Sequence, residues 1–159
     1  KNLPRAVAIG SDLEARDGMA WAQFLAGMAF NNAGLGYVHA MAHQLGGFYN
    51  LPHGVCNAIL LPHVEQFNLI GAKERLADVA KAMGVVTDGM SVVDAAQSAI
   101  DAIKVLSAKI GIPPNLTTLG VKEQDLKIMA ENAKKDVCQL MNPRTATLDE
   151  VIAIFKDAM

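Results

Sequence analysis

The sequence predicts an all-α domain, a bundle of about seven helices joined by short loops. Hydrophobic residues make up 52% of the 159 residues and charged residues 19%, which is enough apolar material for a packed core. Aromatic residues account for only 5%, whereas Ala and Met are plentiful, and this balance favours helices over a β-sandwich. No segment alternates apolar and polar residues with the two-residue period of a strand.

Three helices are expected in the first half of the chain, over residues 15–32, 35–45 and 52–70. Ser11 and Glu14 form a capping box that opens the first of them. That helix has no clean polar stripe, so it is predicted to be buried on most sides. Trp21 and Phe24 are assigned to the core, with the lining of an apolar site as the alternative. Pro62 is expected to kink or restart the third helix.

Four further helices are expected in the second half, over residues 73–83, 91–110, 121–135 and 147–158. Gly84 and Gly111 end the first two of these. Thr147 and Glu150 form a second capping box, which opens the last helix. The whole chain, residues 1–159, is therefore interpreted as one helical domain without internal repeats.

Charge and composition exclude several classes of function. The net charge is −2, from 14 basic and 16 acidic residues, so there is no basic excess to bind nucleic-acid phosphates. No run approaches the roughly 18 apolar residues of a transmembrane helix, and no signal peptide is visible. Cys56 and Cys138 lie far apart in the sequence, which fits a reducing cytoplasm. The chain starts at Lys1 without an initiator Met, and we expect it to be part of a longer protein.

All four histidines lie within one window of 25 residues: His39, His43, His53 and His63. Neutral imidazole is the commonest protein ligand for zinc, iron and copper. On a helix, His39 and His43 would share a face and could both reach one ion. This is the spacing that metalloprotease helices use, but the general-base Glu of that motif is absent here.

The alternative to metal binding is that these histidines are ordinary core residues. A single His on an apolar helix is usually a satisfied core residue, whereas three in one apolar window favour a metal or catalytic site. His53 stands at a helix start, while His63 is better assigned a structural or surface role. No Asp or Glu lies between Asp17 and Glu65. Any carboxylate ligand must therefore come from elsewhere in the fold or from upstream of the chain.

A longer motif surrounds the histidines and reads GYVHAMAHQLGG, YNLPHG and NAILLPHV over residues 36–47, 49–54 and 57–64. This motif closely resembles the iron-containing (group III) alcohol dehydrogenases. The resemblance extends over the whole chain, to LPRA, AGMAF and NPR at residues 3–6, 26–30 and 142–144.

The resemblance implies the C-terminal, all-helical domain of such an enzyme, whose N-terminal α/β domain binds NAD(P). A metal, Fe²⁺ or Zn²⁺, would lie in the cleft between the domains. Its four ligands would be an Asp and a His from upstream of this chain, together with His39 and His53. The resemblance leaves His43 off the metal, facing the nicotinamide and the substrate as a catalytic residue that relays the alcohol proton. It brings Cys138 towards the cofactor and the NPR turn to the cleft wall, although a small buried hydrophobe is the plainer role for Cys138.

The function so implied is that of an NAD(P)-dependent alcohol dehydrogenase or aldehyde reductase. A metal-bound alkoxide would give a hydride to the nicotinamide, with a small primary alcohol or aldehyde as the substrate. The longer enzyme is expected to be a cytoplasmic homo-oligomer that binds neither nucleic acid nor membranes, and the isolated chain is expected to be inactive. The alternative is a free-standing helical module that binds a metal or a partner without catalysis.

Overall fold

The computed structural model describes all 159 residues and contains helices and turns but no β-strand. The α-helices are α1 (Leu3–Ala8), α2 (Leu13–Ala33), α3 (Tyr37–Tyr49), α4 (His53–Ala82), α5 (Val92–Lys109), α6 (Leu126–Ala133) and α7 (Leu148–Asp157). Short 3-10 turns lie at Thr117–Leu119, Glu123–Asp125 and Val137–Met141. The predicted all-α class with about seven helices is confirmed. None of the helices combines the length and the apolar composition that crossing a membrane requires.

The main core lies where α3, α4, α6 and α7 pack together. Its largest fully buried side chains include Tyr37 and Met41 from α3, Leu60 from α4 and Phe155 from α7. Helix α5 packs along α4 and encloses a smaller cluster with it, around Ile100. Because α3 runs through the centre of the main core, its position is fixed on several sides by side-chain packing.

The prediction that α2 is buried on most sides is wrong. Ala15 is its only buried residue, and the side chains expected in the core, Trp21 and Phe24, are 59% and 55% exposed. Their rings contact each other edge to face, with centroids 6.2 Å apart. Only α1 packs extensively on α2. An apolar sequence indicates that a helix packs against another surface, but it does not show that this surface belongs to the same chain.

The N-terminal capping box at Ser11 and Glu14 is also wrong, by one residue. The N-cap of α2 is Asp12, whose carboxylate accepts a hydrogen bond from the backbone N–H of Ala15 at 3.0 Å. The same carboxylate accepts two hydrogen bonds from the guanidinium of Arg5, which lies in α1, a helix the sequence did not predict. This contact favours Asp12 over Ser11, although both residue types are good N-caps.

Helix α4 passes through Pro62 with helical backbone angles and departs from them at Ala72, where φ is −134° and ψ is 21°. The helix therefore does not restart at Pro62, one of the two outcomes expected there, whereas the expected division between residues 70 and 73 is confirmed. Helix α3 is longer than predicted and ends where Asn50 adopts a left-handed conformation, with φ at 53°. The capping box of Thr147 and Glu150 at the start of α7 is confirmed.

Candidate functional site

Three of the four histidines meet at one place. His39 and His43 project from α3, and His53 is the first residue of α4. The ring centroids of His39 and His43 lie 5.3 Å and 5.4 Å from that of His53, and 6.2 Å from each other. The short loop between α3 and α4 folds the two helices together and so brings His53 to the pair on α3.

His63 does not join this cluster. It lies ten residues after His53 on the same helix, about 15 Å along its axis. It lines an open cavity of about 270 Å³ together with Lys104. Burial, with a smaller contribution from the Lys104 ammonium, lowers the pKa of His63. His63 is thus separate from the other three, and its structural or surface role stays a prediction.

Asn57 connects the two histidines that the resemblance assigns to a metal. Its amide nitrogen Nδ2 lies 2.9 Å from Nε2 of His53 and 3.3 Å from Nε2 of His39. The two imidazole nitrogens therefore face a common point. The amide oxygen of Asn57 is buried and has no hydrogen-bond partner. Two ring nitrogens directed at one place, beside a rotatable amide with an unpaired oxygen, fit a divalent ion that prefers imidazole donors.

The environment of His39 favours its neutral form. Burial is the main cause that lowers its pKa, and the neighbouring rings of His53 and His43 lower it further. A neutral imidazole keeps one ring nitrogen free of a proton, and this is the form that binds metals. The local electrostatics are therefore compatible with a ligand role for His39, which stays a prediction, as does that of His53.

His43 faces a different partner, Asp136. Its Nδ1 lies 2.7 Å from Oδ2 of Asp136. Asp136 is the N-cap of the 3-10 turn Val137–Met141 and accepts a hydrogen bond from the backbone N–H of Cys138 at 2.9 Å. Burial would raise the pKa of the Asp136 carboxyl, but its hydrogen bonds with His43 and Cys138 outweigh burial and lower the pKa.

Cys138, expected near the cofactor, lies beside this pair. One ring nitrogen of His43, a carboxylate oxygen of Asp136 and Sγ of Cys138 all lie within 4.8 Å of one another. The thiol is partly buried, and burial together with the Asp136 carboxylate raises its pKa. Its contact with a cofactor stays a prediction. Neither Asp136 nor Asn57 was predicted from the sequence; the available signals were an Asp two residues before Cys138 and an Asn one helical turn after His53.

The start of α3 is held by the NPR segment. Gly36, the N-cap position of α3, has no side chain to cap the helix, and Oδ1 of Asn142 accepts from the N–H of Tyr37 instead, at 3.2 Å. The Asn142 amide also donates to Oδ1 of the buried Asn68 at 2.6 Å. A Cβ on Gly36 would lie 2.7 Å from Oδ1 of Asn142. The NPR segment therefore sets the position of the helix that carries His39 and His43.

The hydroxyl of Tyr37 holds the segment that carries Asp136 against α3. Tyr37 is fully buried, and its hydroxyl accepts from the N–H of Ala146 at 3.0 Å and donates to Oε1 of Gln139 at 3.2 Å. The Lys134 ammonium lies 3.5 Å from the same oxygen. A buried phenol usually finds such partners. These contacts fix the chain on both sides of the turn Val137–Met141.

Glu65 lines an open cleft of about 340 Å³ beside His39. Burial raises its pKa above the usual 4.5, and a hydrogen bond with Asn68 offsets this only in part. The folded chain therefore holds this proton more tightly than the unfolded chain. An ionised Glu65 destabilises the folded state at neutral pH, and this cost is lost as the pH falls below the unfolded value.

We expect Glu65→Gln to raise the melting temperature of the chain by a few degrees at pH 7.5 and to leave it nearly unchanged at pH 4. Thermal unfolding followed by circular dichroism measures the difference. Glu74→Gln, at an exposed position of the same helix, is the matched control and should have little effect at either pH. Equal stabilisation by Glu65→Gln at both pH values would contradict the burial argument.

Comparison with known proteins supports the resemblance that the histidine motif indicated. The family model described as "Fe-containing alcohol dehydrogenase family, C-terminal" matches residues 1–159. The chain is 60% identical to 1,3-propanediol dehydrogenase of Citrobacter freundii over 158 residues, which are 99% of this chain and 41% of that protein. It is 48% identical to NAD-dependent methanol dehydrogenase of Bacillus methanolicus, again covering 99% and 41%. Lactaldehyde reductase of Escherichia coli (strain K12) is 46% identical over 95% of this chain and 40% of its own.

A solved structure of a 1,3-propanediol oxidoreductase superposes with a TM-score of 0.98 at 58% identity, over 99% of this chain and 41% of that one. An alcohol dehydrogenase from Oenococcus oeni superposes with a TM-score of 0.96 at 53% identity, over 98% and 41%. The chain thus spans about two fifths of the length of these relatives.

Proposed function

The chain belongs to the Fe-containing alcohol dehydrogenase family, and from this membership we propose a function for it. Residues 1–159 form the C-terminal domain, which contributes metal ligands, of a longer NAD(P)-dependent alcohol dehydrogenase or aldehyde reductase. The relatives support a small alcohol or aldehyde as the substrate, since their names refer to 1,3-propanediol, methanol and lactaldehyde. We further propose that the longer enzyme is a cytoplasmic homo-oligomer. Both cysteines are free, which is compatible with a reducing compartment.

The observation that carries the proposal is the convergence of His39 and His53 on one point. Their Nε2 atoms lie 3.3 Å and 2.9 Å from the same amide nitrogen of Asn57. In the proposal these two side chains hold Fe²⁺ or Zn²⁺ together with ligands from the rest of the longer protein. When bound, the ion supplies Lewis acidity that makes an alcohol hydroxyl easier to deprotonate, and a nicotinamide accepts the hydride.

His43 is the residue of this chain that we assign to proton transfer. Its side chain is 41% exposed and its Nδ1 is engaged by Asp136, while its Nε2 makes no hydrogen bond. In the proposal, Nε2 takes the proton that leaves the alcohol hydroxyl and passes it to solvent. Tight packing of α3 in the main core fixes the helix that carries this ring.

Metal removal and reloading test the proposed function. The full-length protein should form NADH or NADPH from short primary alcohols, lose this activity on chelation, and regain it with anaerobic Fe²⁺ or with Zn²⁺. The 159-residue chain alone should show no activity, since it contains only part of the ligand set in this proposal. A metal-loaded full-length protein that oxidises no short alcohol and reduces no short aldehyde would overturn the proposal.

A further inference from the structure

We propose that Asp136 is a positioning residue for His43: its carboxylate holds the Nδ1–H of the ring, so that Nε2 is the atom that accepts a proton. This inference rests on the proposed function, because it concerns the histidine to which that function assigns proton transfer. It adds a residue that lies 93 positions away in the sequence.

The contact between the two side chains has the geometry of a strong hydrogen bond. The distance from Nδ1 of His43 to Oδ2 of Asp136 is 2.7 Å, within the range of hydrogen bonds between an imidazole and an ionised carboxylate. No Lys or Arg forms an ion pair with Asp136; its one ion-pair partner is His43. The carboxylate is therefore available to this ring.

Asp136 cannot easily turn away from the ring. Its second oxygen, Oδ1, accepts from the N–H of Cys138 at 2.9 Å, so that both oxygens are engaged. Its own N–H donates to the carbonyl of Asn132, near the end of α6, at 3.1 Å. The carboxylate is thus fixed by the backbone on both sides of the residue.

The turn that carries Asp136 is docked on α3 at two points. One is the hydrogen bond between Asp136 and His43, and the other joins Gln139 to the hydroxyl of Tyr37 at 3.2 Å. Tyr37 and His43 lie six residues apart on the same helix. Two contacts on one rigid helix determine the rotation as well as the distance of the turn, and this makes the orientation of the carboxylate specific.

The chemistry follows from the hydrogen-bonding capacity of each group. An ionised carboxylate only accepts, so Nδ1 of His43 must carry the hydrogen. In a neutral imidazole the other nitrogen, Nε2, then has a free lone pair and acts as the base. The Asp of a Ser-His-Asp triad selects a histidine tautomer in the same way.

Burial of the pair is asymmetric and suits this role. The Asp136 side chain is 16% exposed, whereas that of His43 is 41% exposed. The carboxylate is thus the less exposed partner, while the ring itself reaches solvent. The Nε2 atoms of His39 and His53 both face Asn57, so they do not compete for Asp136.

Steady-state kinetics of Asp136→Asn in the metal-loaded, full-length enzyme tests the proposal. We expect kcat to fall roughly 10- to 100-fold, the range seen for partners that orient a metal-ligating imidazole. The KM for the alcohol and the metal content should change little. Asp136→Glu should restore much of the lost kcat, because it returns a carboxylate. Asp88→Asn, which removes the same charge from an exposed position, should behave as wild type.

A spectroscopic measurement separates this inference from the proposed function. Ring ¹⁵N shifts of the full-length, zinc-treated protein labelled in histidine report the tautomer of His43, with His43→Gln identifying its signals. We expect the Nδ1–H tautomer in the wild type and its loss in Asp136→Asn. An Nε2–H tautomer in the wild type, or an unchanged kcat in Asp136→Asn, would overturn the inference. Failure of the metal-loaded wild type to oxidise any short alcohol or reduce any short aldehyde, with the expected tautomer present, would overturn the proposed function alone.

Discussion

Replacing His53 with alanine should remove most of the bound metal from the full-length protein and lower alcohol-dependent formation of the reduced cofactor by more than about 100-fold. Mutation of residues that merely support a metal ligand costs roughly 10- to 100-fold, and loss of a ligand itself should cost more. Nε2 of His53 lies 2.9 Å from the Asn57 amide nitrogen, the point that His39 also faces. Metal content by elemental analysis and the initial rate with a short primary alcohol measure the two effects.

His63→Ala is the matched control for this experiment. It removes an imidazole from the same helix, but from a residue that lines a separate cavity with Lys104. We expect it to retain metal and most of the activity. If His53→Ala kept its metal, or if both variants lost activity equally, the assignment of His53 as a ligand would be wrong.

A second large effect is expected for Gly34→Ala, at the junction between α2 and α3. Gly34 has a φ of +77° and a ψ of −176°, a conformation that side-chain-bearing residues rarely adopt. A Cβ added there would lie 2.8 Å from Cβ of Met141 and even closer to its Cγ. These atoms belong to the base of the Met141 side chain, so rotation about its outer bonds would not relieve the clash.

We expect Gly34→Ala to lower the free energy of unfolding by about 2–5 kcal/mol, the sum of backbone strain and local overpacking. Urea unfolding followed by circular dichroism measures this loss. Gly111→Ala is the control, because Gly111 has a similar φ of +78° but nothing within 4 Å of the added Cβ. It should lose only the part due to strain, about 1–3 kcal/mol. Equal losses for the two variants would show that contact with Met141 contributes nothing.

Local signals in the sequence were sufficient for the starts of α5 and α7. Helix α5 begins within one residue of the predicted start at 91, with Ser91 as its N-cap, and the capping box of Thr147 and Glu150 lies where it was predicted. These motifs act within one turn of a helix, so the residues involved are neighbours in the sequence and visible there. Ser11 failed as an N-cap because its neighbour Asp12 also binds Arg5 of α1, a contact between two elements that no local pattern shows.

The clustering of the four histidines was equally visible in the sequence, but the residue that each ring faces was not. Spacing alone paired His39 with His43, which share a face of α3. In the structure, His39 and His53 face Asn57, and His43 faces Asp136. Helical spacing determines which side chains project from one face of a helix, whereas the direction of each ring depends on the side chains of neighbouring elements that it contacts.

By itself, the sequence determined the all-α class, the start of α5 and α7, and the concentration of imidazoles in one short segment. It did so because hydrophobic periodicity, capping and composition are local properties. Only the tertiary structure decided that α2 leaves Trp21 and Phe24 exposed and that Asp136 meets His43. Burial and long-range hydrogen bonds depend on which elements pack together, and the physical cause lies in contacts between residues that are distant in the chain.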